Sequence, residues 1–269
     1  MNTGLLLVSP ISPRVLGSGE RFPFSFQGPS CNPADEQRVV AGIDVGSTSV
    51  NVVLMDEKHR ILATSIVKTG PKSGLGARNA LDEALATARL SLSDIRYIVS
   101  TGYGRAVASF SHEAVTEITC HARGALWLDR NVRTVIDIGG QDSKLLRLRP
   151  DGAVADFVMN DRCAAGTGRF LEVLATRLGV KLSYLGTLAD RSRKPATISN
   201  MCVVFAETEI IGLLASGIAS EDIVAGVQAS IATRVAAMAG RNLPEPILFT
   251  GGVALVPGMR SALESVLSR

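Results

Sequence analysis

Apolar residues fall into short strand-like and helix-like segments, and the order of these segments repeats. VVAGIDV, from residue 39, has the composition of a buried strand. NVVLMDE (51–57) and ILATSIVKT (61–69) follow as two further strands. A helix over about 78–90, a strand over 95–100 and a helix over 113–128 complete the first half.

The second half restarts the same pattern at VRTVIDIGGQD (132–142), which two further strands follow. Helical spacing then predicts helices at about 167–179, 203–216 and 221–241, before a strand at 246–250 and a helix at 255–268. A repeated order of elements indicates an internal duplication. We therefore predict two α/β lobes, 39–130 and 131–269, with a cleft between them, in preference to a single doubly wound sheet.

Residues 1–38 differ from the rest, because they are rich in Gly, Pro, Ser and Asn and show no sustained period. We expect a disordered leader with no apolar face to pack against the lobes.

Composition describes an ordinary globular protein, with 46% hydrophobic and 20% charged residues. A net charge of +3 without a basic run argues against nucleic acid and anionic membranes as partners. No apolar stretch approaches the roughly 18–20 residues that span a bilayer, and the start lacks the features of a secretory signal. We expect a cytoplasmic protein whose four cysteines are reduced thiols or metal ligands.

The segment GIDVGSTS (42–49) places Asp44 at the end of a strand, before a turn of small residues. A turn over Gly46, Ser47, Thr48 and Ser49 can direct backbone N–H groups at phosphate oxygens. Asp44 would then hold Mg²⁺ through water. The alternative is an ordinary hairpin in which Gly and Ser serve turn geometry alone.

The segment DIGGQDSK (137–144) repeats this arrangement, with Asp137 on the strand and Gly139–Gly140 in the loop. Gln141 offers an amide that could orient a water near the terminal phosphate, and Asp142 or Lys144 could adjust the charge there. Two such loops make a phosphate site the better interpretation of both.

A third glycine pair, Gly251–Gly252, stands between the last strand and the last helix, where it would leave room for adenine and ribose. No GxxxxGK[ST] pattern occurs, which excludes a P-loop ATPase.

Cys163 and Cys202 each follow polar capping candidates and precede a predicted helix. A helix N-terminus favours thiolate and an anionic cluster, and two thiolates are half of the ligands that a cubane cluster needs. The alternative is that both are small core residues. We expect Cys120 to be packed and Cys31 to lie in the leader, so that neither is a ligand. We also expect His121 to be structural.

These motifs, with STGYGR, CHARGA and above all DRCAAGTGRF, resemble the ATPase activators of 2-hydroxyacyl-CoA dehydratases. Those proteins share a family with the ATPase subunits of benzoyl-CoA reductase (BadF/BadG/BcrA/BcrD type ATPases). The resemblance covers about residues 39–267. It implies the duplicated, ribonuclease H-like fold of actin and heat-shock ATPases, with a second lobe that is short at its C-terminus.

The resemblance also implies a homodimer bridged by one 4Fe-4S cluster, which Cys163 and Cys202 of both chains would hold. ATP would be bound by the three glycine loops and by the segment that follows Cys163. The implied nucleotide-binding residues are Gly46, Ser47, Thr48, Ser49, Gly139, Gly140, Gln141, Ala165, Gly166, Thr167, Gly168, Arg169, Gly251 and Gly252.

The resulting hypothesis is an ATP-dependent electron donor to a CoA-ester dehydratase or reductase, recharged by ferredoxin or flavodoxin. Asp137, Asp44 and Gln141 would serve Mg²⁺-dependent hydrolysis. Two alternatives remain open at this stage: a small-molecule kinase on the same fold, and a non-catalytic nucleotide-binding module. We expect removal of residues 1–37 to change neither cluster content nor ATPase activity.

Overall fold

A computed structural model describes residues 6–7, 38–199, 203–240 and 243–267. The chain divides into two compact units, residues 11–117 and residues 1–10 with 118–269, called here the first and the second unit. The division falls at Glu117/Ile118, before the 130/131 boundary expected from the sequence.

A five-stranded mixed sheet forms the centre of the first unit, in the order β4-β3-β2-β5-β6. Its strands are β2 (Val39–Val45), β3 (Ser49–Asp56), β4 (Ile61–Lys68), β5 (Ile95–Thr101) and β6 (Glu113–Ala114). The β2–β3 and β3–β4 pairs are antiparallel, whereas β5 runs parallel to β2. Alternate residues of β2 and β3 are buried, because one face of each strand packs into the core.

Helix α1 (Ser73–Ala88) covers that sheet, and buries alanines and leucines such as Ala77, Leu81 and Leu85. It begins about five residues before the predicted start, within a segment whose glycines resemble a loop. A Cβ on Gly76 would lie 2.7 Å from the carbonyl oxygen of Thr69. Gly76 therefore allows α1 to pack closely against the backbone that follows β4.

The second unit repeats the arrangement around a sheet in the order β1-β10-β7-β8-β9. Its strands are β1 (Leu6–Leu7), β7 (Thr134–Ile138), β8 (Ser143–Leu148), β9 (Val154–Asn160) and β10 (Ile247–Thr250). Strands β7, β8 and β9 pair antiparallel, and β10 runs parallel to β7, as β5 does to β2. The repeated strand order is the structural counterpart of the duplicated sequence pattern.

Six helices belong to the described part of the second unit. They are α2 (Glu117–Leu128), α3 (Gly168–Leu178), α4 (Leu185–Ala189), α5 (Val203–Ala215), α6 (Ser220–Ala239) and α7 (Met259–Leu267). Helix α6 is buried along much of its length, in a core that also contains Phe170 and Phe249. The sequence analysis missed α4.

The predicted helix over 113–128 is wrong at its start, because residues 113–114 form β6 beside β5 and the helix begins at Glu117. Within the predicted leader, 1–38, the structure describes Arg38 and also Leu6–Leu7, which pair in parallel with Leu248–Phe249 of β10. Strand β1 thus takes in the second sheet the place that β6 takes in the first.

Candidate functional site

The turn between β2 and β3 is fixed by its own backbone and by one side chain. The N–H of Gly46 donates to the carbonyl of Ser49 over 3.0 Å, and the Thr69 hydroxyl donates to the carbonyl of Gly46 over 2.7 Å. Ser47 and Thr48 are exposed at the tip of the turn. Their hydroxyl and N–H groups can therefore reach an anionic ligand.

Asp44, half-buried near the end of β2, lies against the turn that follows β5. Gly102 in that turn has φ +85°, and a Cβ there would lie 2.4 Å from Asp44 Oδ1. The N–H of Gly104 donates to the carbonyl of Val45 over 2.8 Å. The sequence analysis did not assign the segment TGYGR to the phosphate site. Its two glycines, which follow directly after a strand, were the feature that could have indicated a turn there.

The turn between β7 and β8 has the same construction as the turn between β2 and β3. The N–H of Gly139 donates to the carbonyl of Asp142 over 2.9 Å, in the place of the Gly46–Ser49 bond. Gln141 is exposed at the tip, and Gly140 is half-buried. Two hairpin turns with one hydrogen-bonding pattern are thus present, one in each unit.

Asp137 is buried near the end of β7, with 6% of its surface exposed, and lies in a group of charged side chains. The ammonium of Lys144, 5% exposed, lies 3.6 Å from Asp137 Oδ2 and 2.6 Å from Asp142 Oδ2. The carboxylates of Asp137 and Asp142 and the ammonium of Lys144 together carry one net negative charge when His121 is neutral. Such a charge suits a hydrated divalent cation.

His121 and Thr250 complete the surroundings of Asp137. From the sequence, His121 was expected to be structural and Thr250 was not considered. His121 Nε2 lies 2.8 Å from Thr250 Oγ1, which lies 3.1 Å from Asp137 Oδ1. The three side chains come from α2, β10 and β7, and a sequence pattern cannot bring such distant positions together. His121 is therefore in contact with the candidate site.

Gly251 and Gly252 follow β10 with different surroundings. Gly251 has φ +88°, and a Cβ there would lie 2.3 Å from the carbonyl oxygen of Ile138 and 2.7 Å from Asp137 Oδ1. A Cβ on Gly252 would meet nothing within 4 Å. Gly251 therefore allows the chain to pass close to Asp137, and Gly252 leaves open space.

The segment Ala165–Gly168 is buried, and its polar groups bond to the β7–β8 turn. The N–H of Gly168 donates to Gly139 O over 2.8 Å, and the N–H of Arg169 donates to Gly140 O over 2.9 Å. The Thr167 hydroxyl donates to Ala164 O over 2.8 Å and lies 3.2 Å from the same Gly140 oxygen. These N–H groups open α3 and have no carbonyl partner within the helix, so the turn caps the helix together with the Thr167 hydroxyl, which accepts from Arg169 N over 3.3 Å. Arg169 is exposed.

Cys163 is half-buried and outside a disulfide, at the start of a 3₁₀ turn, Ala164–Gly166, and α3 begins at Gly168. The side chain of Asn160 fixes its backbone on both sides. Nδ2 donates to Cys163 O over 2.8 Å, and Oδ1 accepts from Cys163 N over 3.0 Å. Cys163 thus precedes a short turn, whereas the sequence analysis expected a helix N-terminus.

Cys202 and Cys31 lie outside the described residues, but α5 begins directly after Cys202, at Val203. This helix carries exposed apolar side chains, with Phe205 64% and Ile211 47% exposed. Within the described ranges, no three His, Cys, Asp or Glu side chains form a group that could hold a metal ion. No helix there is both long and apolar enough to cross a membrane.

Comparison with known proteins identifies the family. The model of the BadF/BadG/BcrA/BcrD ATPase family matches residues 41–269. The activator of lactoyl-CoA dehydratase from Anaerotignum propionicum is 43% identical over 227 residues, 84% of this chain and 87% of that protein. The (R)-2-hydroxyglutaryl-CoA dehydratase activating ATPase of Acidaminococcus fermentans is 42% identical over 228 residues, with the same two coverages.

A solved structure agrees with these relatives. The activator of the 2-hydroxyisocaproyl-CoA dehydratase from Clostridium difficile, with bound ADPNP, superposes with a TM-score of 0.82 at 38% identity. The match covers 86% of each chain. The resemblance inferred from the motifs and the actin-like ATPase fold are both confirmed. The chain belongs to the BadF/BadG/BcrA/BcrD ATPase family.

Proposed function

We propose that this protein is an ATP-dependent electron donor that activates a CoA-ester dehydratase or reductase. It would work in the cytoplasm as a homodimer, with one 4Fe-4S cluster recharged by ferredoxin or flavodoxin. The names of the related dehydratase activators support this class of partner.

One observation carries the proposal: the β7–β8 turn is hydrogen-bonded to the start of α3, a few residues after Cys163. Gly139 and Gly140 accept from the N–H groups of Gly168 and Arg169. If the β7–β8 turn changes position when the terminal phosphate of the nucleotide is bound or lost, these hydrogen bonds would move the start of α3 with it. Since Asn160 ties the backbone of Cys163 to the end of β9, the movement would alter the surroundings of the thiol.

Each unit carries a hairpin turn and an aspartate suited to nucleotide binding and hydrolysis. The turns over Gly46–Ser49 and Gly139–Gln141 would bind phosphates through backbone N–H groups. Asp137 would hold a hydrated Mg²⁺, with Asp44 as its counterpart in the first unit, and the exposed amide of Gln141 would orient the attacking water. Lys144 limits the repulsion between Asp137 and Asp142.

The donor set around Cys163 fits a cluster ligand. A half-buried thiol outside any disulfide, on a backbone fixed by Asn160, has the chemistry that iron–sulfur clusters require. Cys163 and Cys202 from each of two chains would provide four thiolates. The bound cluster would supply a single low-potential electron. The exposed Phe205 and Ile211, on the helix that follows Cys202, support contact with a second copy there.

Anaerobic purification with iron and sulfide analysis tests the cluster. We expect about four irons per dimer in the unmodified protein and almost none in Cys163→Ala, because the substitution removes two of the four proposed thiolates of the dimer. Cys120→Ala, on α2, is the matched control and should keep its iron. Iron retained by Cys163→Ala would contradict the assignment.

Electron transfer is tested separately with dithionite-reduced protein and a CoA-ester dehydratase. Oxidation of the cluster by the dehydratase should require ATP and should not occur with ADP. Equal rates with the two nucleotides would contradict the proposed coupling.

A further inference from the structure

We propose that His121 is a positioning residue for ATP hydrolysis, because it fixes the carboxylate of Asp137 through the hydroxyl of Thr250. The inference rests on the proposed role of Asp137. All three residues belong to the second unit, so it requires no contact between units.

Strand register brings Thr250 beside Asp137. Strands β10 and β7 are parallel, and Thr250 and Asp137 are partners in the pairing. The Thr250 hydroxyl lies 3.1 Å from Asp137 Oδ1, 2.8 Å from His121 Nε2 and 3.5 Å from the carbonyl oxygen of Ile136. A carboxylate has no proton of its own to donate, so the contact with Asp137 assigns the hydroxyl proton to that carboxylate.

This assignment sets the direction of the whole chain of hydrogen bonds. A hydroxyl has one proton to donate, and a carboxylate can only accept. Once the Thr250 proton points to Asp137, the 2.8 Å contact with His121 requires Nε2 to carry a proton. His121 therefore donates to Thr250, and Thr250 donates to Asp137.

The two carboxylate oxygens have different surroundings as a result. Oδ1 accepts from Thr250, lies 3.6 Å from His121 Nε2 and packs against the backbone of Gly251. Oδ2 lies 3.6 Å from Lys144 Nζ, whose nearer carboxylate partner is Asp142 at 2.6 Å. Oδ1 is thus the anchored oxygen, and Oδ2 is the one left to bind the hydrated cation.

Substitutions at both ends of this hydrogen-bond chain test the inference through kcat and nucleotide affinity. His121→Phe and Thr250→Val remove the donors with little change in shape. Each should lower kcat for ATP about tenfold, equivalent to ~1.4 kcal/mol. The Kd for ADP should stay within about twofold, because the backbone turns that bind phosphate are unchanged.

Conservative variants separate positioning from packing. His121→Gln keeps an N–H donor and Thr250→Ser keeps the hydroxyl, so both should retain most of the kcat. The double variant His121→Phe/Thr250→Val should be no slower than either single one, because both remove one chain of bonds. Arg123→Ala, exposed on the same helix, is the control for α2. Circular dichroism of every variant verifies folding.

Three results would overturn the inference: unchanged kcat in His121→Phe, equal loss in His121→Phe and His121→Gln, or multiplicative losses in the double variant. Asp137→Asn distinguishes this failure from failure of the proposed mechanism. If Asp137→Asn is slow and His121→Phe is fast, only the role of His121 is lost. If Asp137→Asn hydrolyses ATP at the normal rate, the proposed role of Asp137 is wrong.

Discussion

At the scale of single residues, Gly251 is a position where the backbone passes close to Asp137. Its positive φ and the 2.7 Å from a Cβ to Asp137 Oδ1 leave no room for a side chain. We expect Gly251→Ala to displace the carboxylate and to lower the ATPase rate by roughly tenfold to a hundredfold. Steady-state ATP hydrolysis on folded protein measures this.

Gly179 provides the matched control. It also has positive φ, +64°, at the end of α3, but a Cβ there would meet nothing within 4 Å. Gly179→Ala should therefore cost about 1–2 kcal/mol of stability through backbone strain alone and leave hydrolysis unchanged. A normal ATPase rate in Gly251→Ala would show that the position of Asp137 does not depend on this contact.

The sequence predicts the residues of the two turns, but not their partners. A strand, an aspartate and a glycine turn form a local pattern, and that pattern occurs twice. Thr250 is more than a hundred positions from both His121 and Asp137, so their contact depends on the strand order and helix packing of the whole unit. Only the three-dimensional fold shows it.

At the scale of elements, the turn between β3 and β4 depends on one buried carboxylate. Asp56 Oδ1 accepts from the backbone N–H groups of Lys58 and Arg60 over 2.9 and 2.8 Å, and Oδ2 accepts from Arg60 Nε over 2.6 Å. Burial raises the pKa of Asp56, but the N–H and guanidinium of Arg60 outweigh it and hold the pKa below its ordinary value.

Replacing this carboxylate should destabilise the first unit. We expect Asp56→Ala to lower the free energy of unfolding by about 2–3 kcal/mol at pH 7, because hydrogen bonds to a charged group are lost. A depressed pKa stabilises the fold above the unfolded-state value and loses its effect as pH falls through the folded-state value. The urea midpoints of variant and unmodified protein should therefore converge below about pH 4.

An exposed pair of the same type is the control. Arg78 and Asp82 on α1 are also four positions apart, with side chains 44% and 52% exposed. Asp82→Ala should cost less than about 1 kcal/mol, because water screens the pair. Equal losses in Asp56→Ala and Asp82→Ala would show that burial of the turn carboxylate has no energetic role.

Elements with a strong hydrophobic period were predicted well from the sequence. Short strands that form only by pairing with a neighbouring strand were not. Strands β2 to β5 and helices α3, α5 and α6 lie close to their predicted ranges. Residues 113–114 carry no strand pattern of their own, and β5 makes them a strand by pairing with them. Short elements of this kind depend on a neighbour supplied by the tertiary fold.

At the scale of the whole molecule, the leader gains a role that composition did not predict. Because Leu6–Leu7 pair with Leu248–Phe249, a chain beginning at residue 38 would leave that edge of β10 uncovered. We expect faster hydrogen exchange over residues 247–250 in the shortened chain, with unchanged exchange in β5 of the first unit. Iron content and ATPase activity should still be retained. Equal exchange at β10 in both chains would show that β1 gives no protection.

Strand β1 also affects the order in which the protein can assemble on the ribosome. Leu6–Leu7 are synthesised about 240 residues before their partners in β10. At about 5–20 residues per second, this delay is roughly 12–50 s. The strands of the first unit emerge within that interval and can pair, while the second sheet lacks β10 until residues 247–250 have been synthesised. If the gene were divided at the unit boundary and the two parts were expressed as separate chains, β1 would therefore lie on a different chain from the other strands of its sheet.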